Sequence, residues 1–223
     1  CELRADSGGA GKQRGGMGMR REVRLLGSEA SYSVLSDRAV IPPYGVLGGG
    51  PASPYQVSVV RKDQVHLFDT PGKATGHPLR QDDVVVMLSA GGGGYGDPLE
   101  RDPDAVARDM IKGYIGADHL HDSYGVILTE SGDVDSQETE QLRLKIKAQR
   151  HHMHVVADDD LDPYVGDRGR RRTIELSPMV AGKIGVKDDD MIEMLGRHPA
   201  PLRAWVVVST GVRDDCIRLD KFA

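Results

Sequence analysis

Gly91-Gly92-Gly93-Gly94-Tyr95-Gly96 constrains this chain of 223 residues more than any other stretch. Four glycines in a row cannot sit inside a helix, where each costs about 1 kcal/mol relative to alanine. They follow closely on a valine-rich run at residues 83–88, which reads as a buried strand. Similar groups stand at Gly8-Gly9, Gly11, Gly15-Gly16 and Gly48-Gly49-Gly50. The 28 glycines are about twice the ordinary share of roughly 7%. They cluster between apolar runs and are not spread as in a flexible linker, the pattern of turns in β-rich structure.

Other strands are expected at residues 20–26, 31–36, 56–60 and 66–68, with Pro42-Pro43 breaking the sheet. Asp102 is a helix N-cap with Pro103 behind it, which predicts a helix over 104–113. A second helix is predicted over 137–150 on Leu142, Leu144 and Ile146, and a turn and strand over 120–128. Residues 151–172 turn polar: His151, His152 and His154, an Asp triplet at 158–160, then a basic run from Arg168 to Arg172. After them come a strand at 173–176, a helix at 177–184 capped by Ser177-Pro178, and strands at 191–195, 202–209 and 216–219.

The expected fold is therefore mainly β with short helices, of α+β class. A Gly-rich β-sandwich-like part fills residues 1–150. A polar linker spans 151–172. A small ψ-barrel-like domain occupies 173–223.

Charge excludes one class of partner. Twenty-nine basic against 34 acidic residues leave no basic excess for nucleic acid. No run approaches the roughly 20 apolar residues of a membrane span, and the first segment has no apolar leader core. Cys1 and Cys216 lie at opposite ends and form neither a metal cluster nor a disulfide framework, so a reducing cytoplasm is the expected location. With one Trp and two Phe, the core gains little from large rings, and the chain is expected to lean on other subunits.

Few residues suggest chemistry. Asp6, Ser7, Lys12 and Arg14 lie in a Gly-rich segment that could contact substrate or phosphate. It is not a Walker loop, because the Gly-Lys pair lacks the following Ser/Thr and the earlier spaced glycine; a structural turn is the competing reading. Asp37 and Arg38 read either as an ion pair holding the Pro-Pro loop or as site residues. Gly91, Gly92, Gly93, Gly94 and Gly96 read as close backbone packing with Tyr95 wedged into an interface. The three histidines lack a spaced fourth ligand, and the Asp triplets lack the alternating ligands of a calcium loop, so no metal is expected in this chain. Cys216 reads as a small core hydrophobe. No Ser/His/Asp or Cys/His set can be assembled by spacing, and catalytic residues stay unassigned.

Four segments, in order, resemble the hydantoinase B/oxoprolinase family. Residues 2–16 are similar to its ELRxDSGGAGxxRGG segment. Ser36-Asp37-Arg38 with Pro42-Pro43-Tyr44-Gly45 and Gly48-Gly49 is similar to the next, and Lys73-Ala74-Thr75 with Asp83-Val84-Val85 to a further one. Residues 91–103 are close to GGGGYGDPxxRDP. The resemblance covers about the first 150 residues. It implies one component of a multi-subunit, ATP-dependent amidohydrolase that opens a cyclic amide such as a hydantoin, oxoproline or a lactam. The alternatives are a component of an ATP-dependent ketone carboxylase acting on acetone or acetophenone, or a non-catalytic assembly module. It further implies that ATP and Mg are held by a hydantoinase A-type partner, with ATP phosphorylating an unreactive oxygen of the substrate. The family's N-terminal His/Asp metal-binding segment has no counterpart here. The expectation is that another chain carries that N-terminal half, with any divalent metal, and that the isolated chain is inactive.

Overall fold

The computed structural model describes residues 1–158, 165–166, 169–170, 172–196 and 199–220. Two compact units divide the chain, Cys1–Lys147 and Ala148–Ala223.

The first unit begins with seven strands: β1 (Glu2–Leu3), β2 (Met19–Arg24), β3 (Glu29–Leu35), β4 (Gln56–Arg61), β5 (Gln64–Leu67), β6 (Lys73–Arg80) and β7 (Val84–Leu88). Five form an antiparallel sheet in the order β1-β2-β7-β4-β5, while β3 and β6 pair as a separate ribbon. Val57, Val59 and Val85 of the sheet pack against Leu79, Tyr32 and Val34 of the ribbon. Period-2 alternation aims these side chains inward, so the two layers bury one another as in a sandwich. The strand β6 is not expected from sequence, since Gly76 and Pro78 interrupt it. Pro78 is tolerated because the two-stranded ribbon leaves it without a second neighbour strand that would need its N–H.

Three helices follow: α1 (Pro103–Ile111), α2 (Ala117–Tyr124) and α3 (Ser136–Ala148). The Asp102 side chain caps α1 through the Asp104 N–H, as its position before Pro103 predicts. The turn and strand expected over 120–128 is overturned by α2. Its stripe is only Leu120 and Tyr124, four residues apart and both buried, and left-handed Gly125 ends it. These two residues close a second core with Ala10, Val106, Ile115 and Val126.

Asp83 pins the sheet to the ribbon. It is 1% exposed. Arg61 donates to both of its carboxylate oxygens, at 2.9 and 2.6 Å, and the Arg80 N–H donates at 2.8 Å. The Arg61 guanidinium, against the opposing effect of burial, holds the Asp83 carboxyl down at about 2. A carboxylate depressed on folding stabilises the fold above its unfolded pKa of about 4 and loses that contribution as pH falls through its folded pKa. The midpoint of thermal unfolding therefore drops between pH 4 and pH 2. Asp83→Asn lowers stability at pH 7 and flattens that acid-side slope. Equal slopes for the two proteins in a melting series would remove the ion pair from the account.

The second unit holds β8 (His154–Asp158), β9 (Val165–Gly166), β10 (Gly169–Arg170), β11 (Thr173–Leu176), α4 (Pro178–Ile184), β12 (Met191–Met194), β13 (Leu202–Val208) and β14 (Cys216–Asp220). Its main sheet is mixed, in the order β12-β13-β11-β14-β8, with β11 parallel to β13 and β14 parallel to β8. Ile174, Leu176, Val180, Ala204, Val206, Ile217 and Leu219 fill its core. The small domain expected to be ψ-barrel-like is this five-stranded sheet with α4 packed against it through Val180. Ser177 Oγ caps α4 through the Val180 N–H at 3.2 Å.

The polar segment read as linker needs one correction. His154–Asp158 is a strand of this sheet, in register with Cys216–Asp220. Val155 and Val156 give it β propensity, and Arg218 donates to Asp158, which stabilises the carboxylate that composition alone marks as solvated, and forms an ion pair with Glu175 at 3.0 Å. Asp159, Asp160, Arg168 and Arg171 lie outside the described residues. The other triplet, Asp188 to Asp190, shapes a turn: Asp188 accepts from the Val208 N–H at 2.7 Å and Asp190 from the Lys187 N–H at 2.9 Å. Cys216 is buried, and burial pushes its thiol up. No helix among the described residues is long and apolar enough to cross a membrane.

Candidate functional site

Three glycine-bearing stretches, residues 7–16, 43–53 and 89–96, run side by side and bond one another through their backbones. The Gly9 N–H donates to Gly92 O at 2.9 Å, Gly50 to Ala10 at 2.7 Å, Gly94 to Gly50 at 3.0 Å and Val46 to Gly94 at 2.9 Å. Gln13 and Tyr95 exchange two bonds, both 2.9 Å. Side chains would hold such strands too far apart. A Cβ at Gly93 would stand 1.8 Å from Tyr44 O, at Gly94 1.8 Å from Ala10 O, at Gly15 1.8 Å from Gly92 O and at Gly91 1.9 Å from Ser7 O. Glycine is required here by close approach, not by a positive φ. Tyr95, expected in an interface, is held by its backbone and is 53% exposed on this chain.

Around this weave the residues singled out from the sequence have defined partners. Asp6, at φ 55°, accepts from the Gly116 N–H at 2.8 Å. Ser7 is fully buried; its hydroxyl donates to Arg4 O and accepts from the Gly18 N–H at 2.8 Å. Lys12 is half-exposed and pairs with Glu100 at 3.2 Å. Arg14 bonds Asp109 at 3.1 Å and lies over the Tyr114 ring. Sequence leaves open whether Asp37 and Arg38 pair, and the structure separates their roles: Arg38 stands 5.9 Å over the Tyr44 ring, and the described residues show no ion pair between the two.

Arg101, Asp109 and Arg143 complete the surroundings and escape the sequence reading. Asp109 is buried on α1, and its Oδ2 accepts from both Arg14 and Arg101, the latter at 2.8 Å. A signal exists: Asp109 stands three residues after Val106, on the buried phase of the helix, where a carboxylate needs a cation. Tyr124 packs in the same core, and burial pushes its hydroxyl up, against the pull of Arg101.

Ser7, Lys12 and Arg14 each serve a carboxylate or carbonyl of the chain itself. Among the described residues no three His, Cys, Asp or Glu side chains converge as metal ligands. Ser123 and His119 touch at 3.4 Å across one turn of α2, too long for a well-formed bond.

What the weave and its ion-pair rim define is a rigid β-platform. Residues 1–98 match the family described as hydantoinase B/oxoprolinase. The chain is 33% identical over 142 residues to the putative B-type component of a D-/L-hydantoinase from Pseudomonas sp. (strain NS671), covering 64% of this chain and 24% of the relative. Among solved structures it is similar to the ATP-dependent caprolactamase of Pseudomonas jessenii, at 29% identity and TM-score 0.55, over 64% of this chain and 25% of that one. Nucleotide-free acetone carboxylase gives 25% identity and TM-score 0.56, over 67% and 24%. The chain thus spans about a quarter of the length of each of these relatives.

Proposed function

We propose that this chain is a component of an ATP-dependent enzyme complex that opens a cyclic amide of the hydantoin, oxoproline or lactam type. The observation that carries this reading is the family match over residues 1–98, extended by the 142-residue similarity to the B-type component of a hydantoinase. Within such a complex the glycine weave supplies a stiff surface, and Asp6, Ser7, Lys12 and Arg14 position backbone instead of contacting nucleotide. ATP and Mg are held by a hydantoinase A-type partner, and this part adjoins the N-terminal half of a B-type component. The cytoplasm suits a chain whose two cysteines are both free. A ketone carboxylase is the second reading, favoured by the likeness to acetone carboxylase, which covers 67% of this chain.

The test is to purify the chain with whatever binds it and follow ATP consumption. Stimulation by 5-oxoproline, hydantoin or caprolactam supports the first reading. Stimulation by acetone with bicarbonate supports the second, and a complex that responds to neither rejects both. The isolated chain is expected to give no heat with Mg-ATP in calorimetry, because the loop cations are already paired. Micromolar binding would contradict that assignment.

A further inference from the structure

Within the first unit, away from the weave in sequence, a cavity of about 370 Å³ lies between α1 and α3. That is the size of a small-molecule site. One face of α3 contributes Glu140, Arg143, Leu144 and Lys147 to its lining, and Asp104 from the first turn of α1 is also part of the wall. Arg143 is half-buried and fixed in direction: its Nε donates to Tyr124 O at 3.0 Å and its Nη2 to Arg101 O at 2.9 Å. Carbonyls orient a guanidinium without neutralising it. Burial lowers the Arg143 pKa, with Asp97 and Asp102 acting in the other direction. Among the described residues, Asp104, Glu140 and Lys147 enter no salt bridge.

Four charges of both signs thus face one cavity and do not pair with each other. On a helix surface, Glu140 with Arg143 and Arg143 with Lys147 are neighbours by spacing; the lack of pairing leaves Asp104, Glu140 and Lys147 available to a ligand, while Arg143 keeps only its remaining donors for one. A simple anion would meet Asp104 and Glu140, and a simple cation would meet Arg143 and Lys147. A molecule carrying both charges satisfies both sets. Glu140 and Lys147 are seven residues apart, roughly 10 Å along the axis, with Leu144 between them, which suits charges separated by an apolar chain.

We propose that this cavity binds a zwitterionic aliphatic amino acid, its carboxylate toward Arg143 and Lys147 and its ammonium toward Glu140 and Asp104. Opening a lactam yields an amino acid of this class. A product-sensing role rests on the proposed function; the binding itself does not.

Calorimetry on the full chain, without ATP or partners, tests the binding. The probes are 6-aminohexanoate and glutamate, with hexanoate and hexylamine as single-charge comparators. The expected result is that 6-aminohexanoate binds at least about tenfold more tightly than either comparator. Lys147→Met and Glu140→Gln each remove most of that preference while melting like the parent chain, since both side chains are exposed. Arg143→Gln is a weaker test because Arg143 also holds two carbonyls. Equal affinity for hexanoate and 6-aminohexanoate, a preference that survives both variants, or no heat from the zwitterions at about 10 mM with folded chain would each overturn the site. If lactams fail to stimulate ATP use while 6-aminohexanoate still binds, the function falls and the site stands.

Discussion

Gly93→Val leaves the first unit unable to hold its native fold. The new Cβ alone would stand 1.8 Å from Tyr44 O and 2.5 Å from Tyr44 C, both backbone atoms that no rotamer change can move aside. Relief requires the 43–53 and 89–96 stretches to separate. That breaks the Val46 to Gly94 and Gly94 to Gly50 bonds, and each buried backbone group left unsatisfied costs about 1–3 kcal/mol. The expected loss is at least about 4 kcal/mol, a large part of the roughly 5–15 kcal/mol that stabilises a typical domain. Gly16 is the control, because a Cβ there meets nothing within 4 Å. Gly16→Ala is expected to stay within about 0.5 kcal/mol of the parent. Urea unfolding followed by far-ultraviolet circular dichroism reads both. If Gly93→Val unfolds at the parent's urea midpoint, close packing does not explain the glycines, and a selective loss of turnover in the assembled enzyme would point to a catalytic loop.

The second large effect is at Asp109. Its carboxylate is the anion that Arg14 and Arg101 share, and the three side chains are 12%, 16% and 15% exposed. Asp109→Ala leaves two largely buried guanidinium groups without their counter-ion, which costs about 3–5 kcal/mol. Asp109→Asn keeps an acceptor and loses the charge, so it falls between. Adding Arg14→Met to Asp109→Ala recovers part of the loss, because one stranded cation is gone; a coupling of about 1–3 kcal/mol is expected from the double-mutant cycle. The loss changes little with added salt, since buried pairs are poorly screened. A loss under about 1 kcal/mol for Asp109→Ala, or strict additivity in the cycle, would mean the network does not anchor the 12–16 segment.

Much of the architecture is written in local chemistry. Glycine groups between valine-rich runs mark the weave. Asp102-Pro103 and Ser177-Pro178 mark the starts of α1 and α4, because a cap and a proline act within one turn. The strands β2, β3, β4 and β7 sit within a residue or two of where the sequence places them. The elements that escape a sequence reading lack such signals. α2 buries only Leu120 and Tyr124 among polar neighbours, and β6 carries a glycine and a proline. β8 is polar at both ends, and its Asp158 is tolerated by an arginine sixty residues away.

The candidate site divides in the same way. Sequence by itself determined that residues 91–96 pack as close backbone, that the segment with Asp6, Ser7, Lys12 and Arg14 is a glycine-rich turn or contact loop, and that the order of such stretches resembles one family. It left open whether those side chains face a ligand or the chain. Tertiary structure supplies partners that no local pattern names, bringing Asp109 to Arg14 and Glu100 to Lys12 from about ninety residues away. Steric limits and caps act between neighbours and can be read along the chain. Charge compensation and interstrand bonding depend on which distant segments the fold brings within about 3 Å of each other, and no local pattern specifies that.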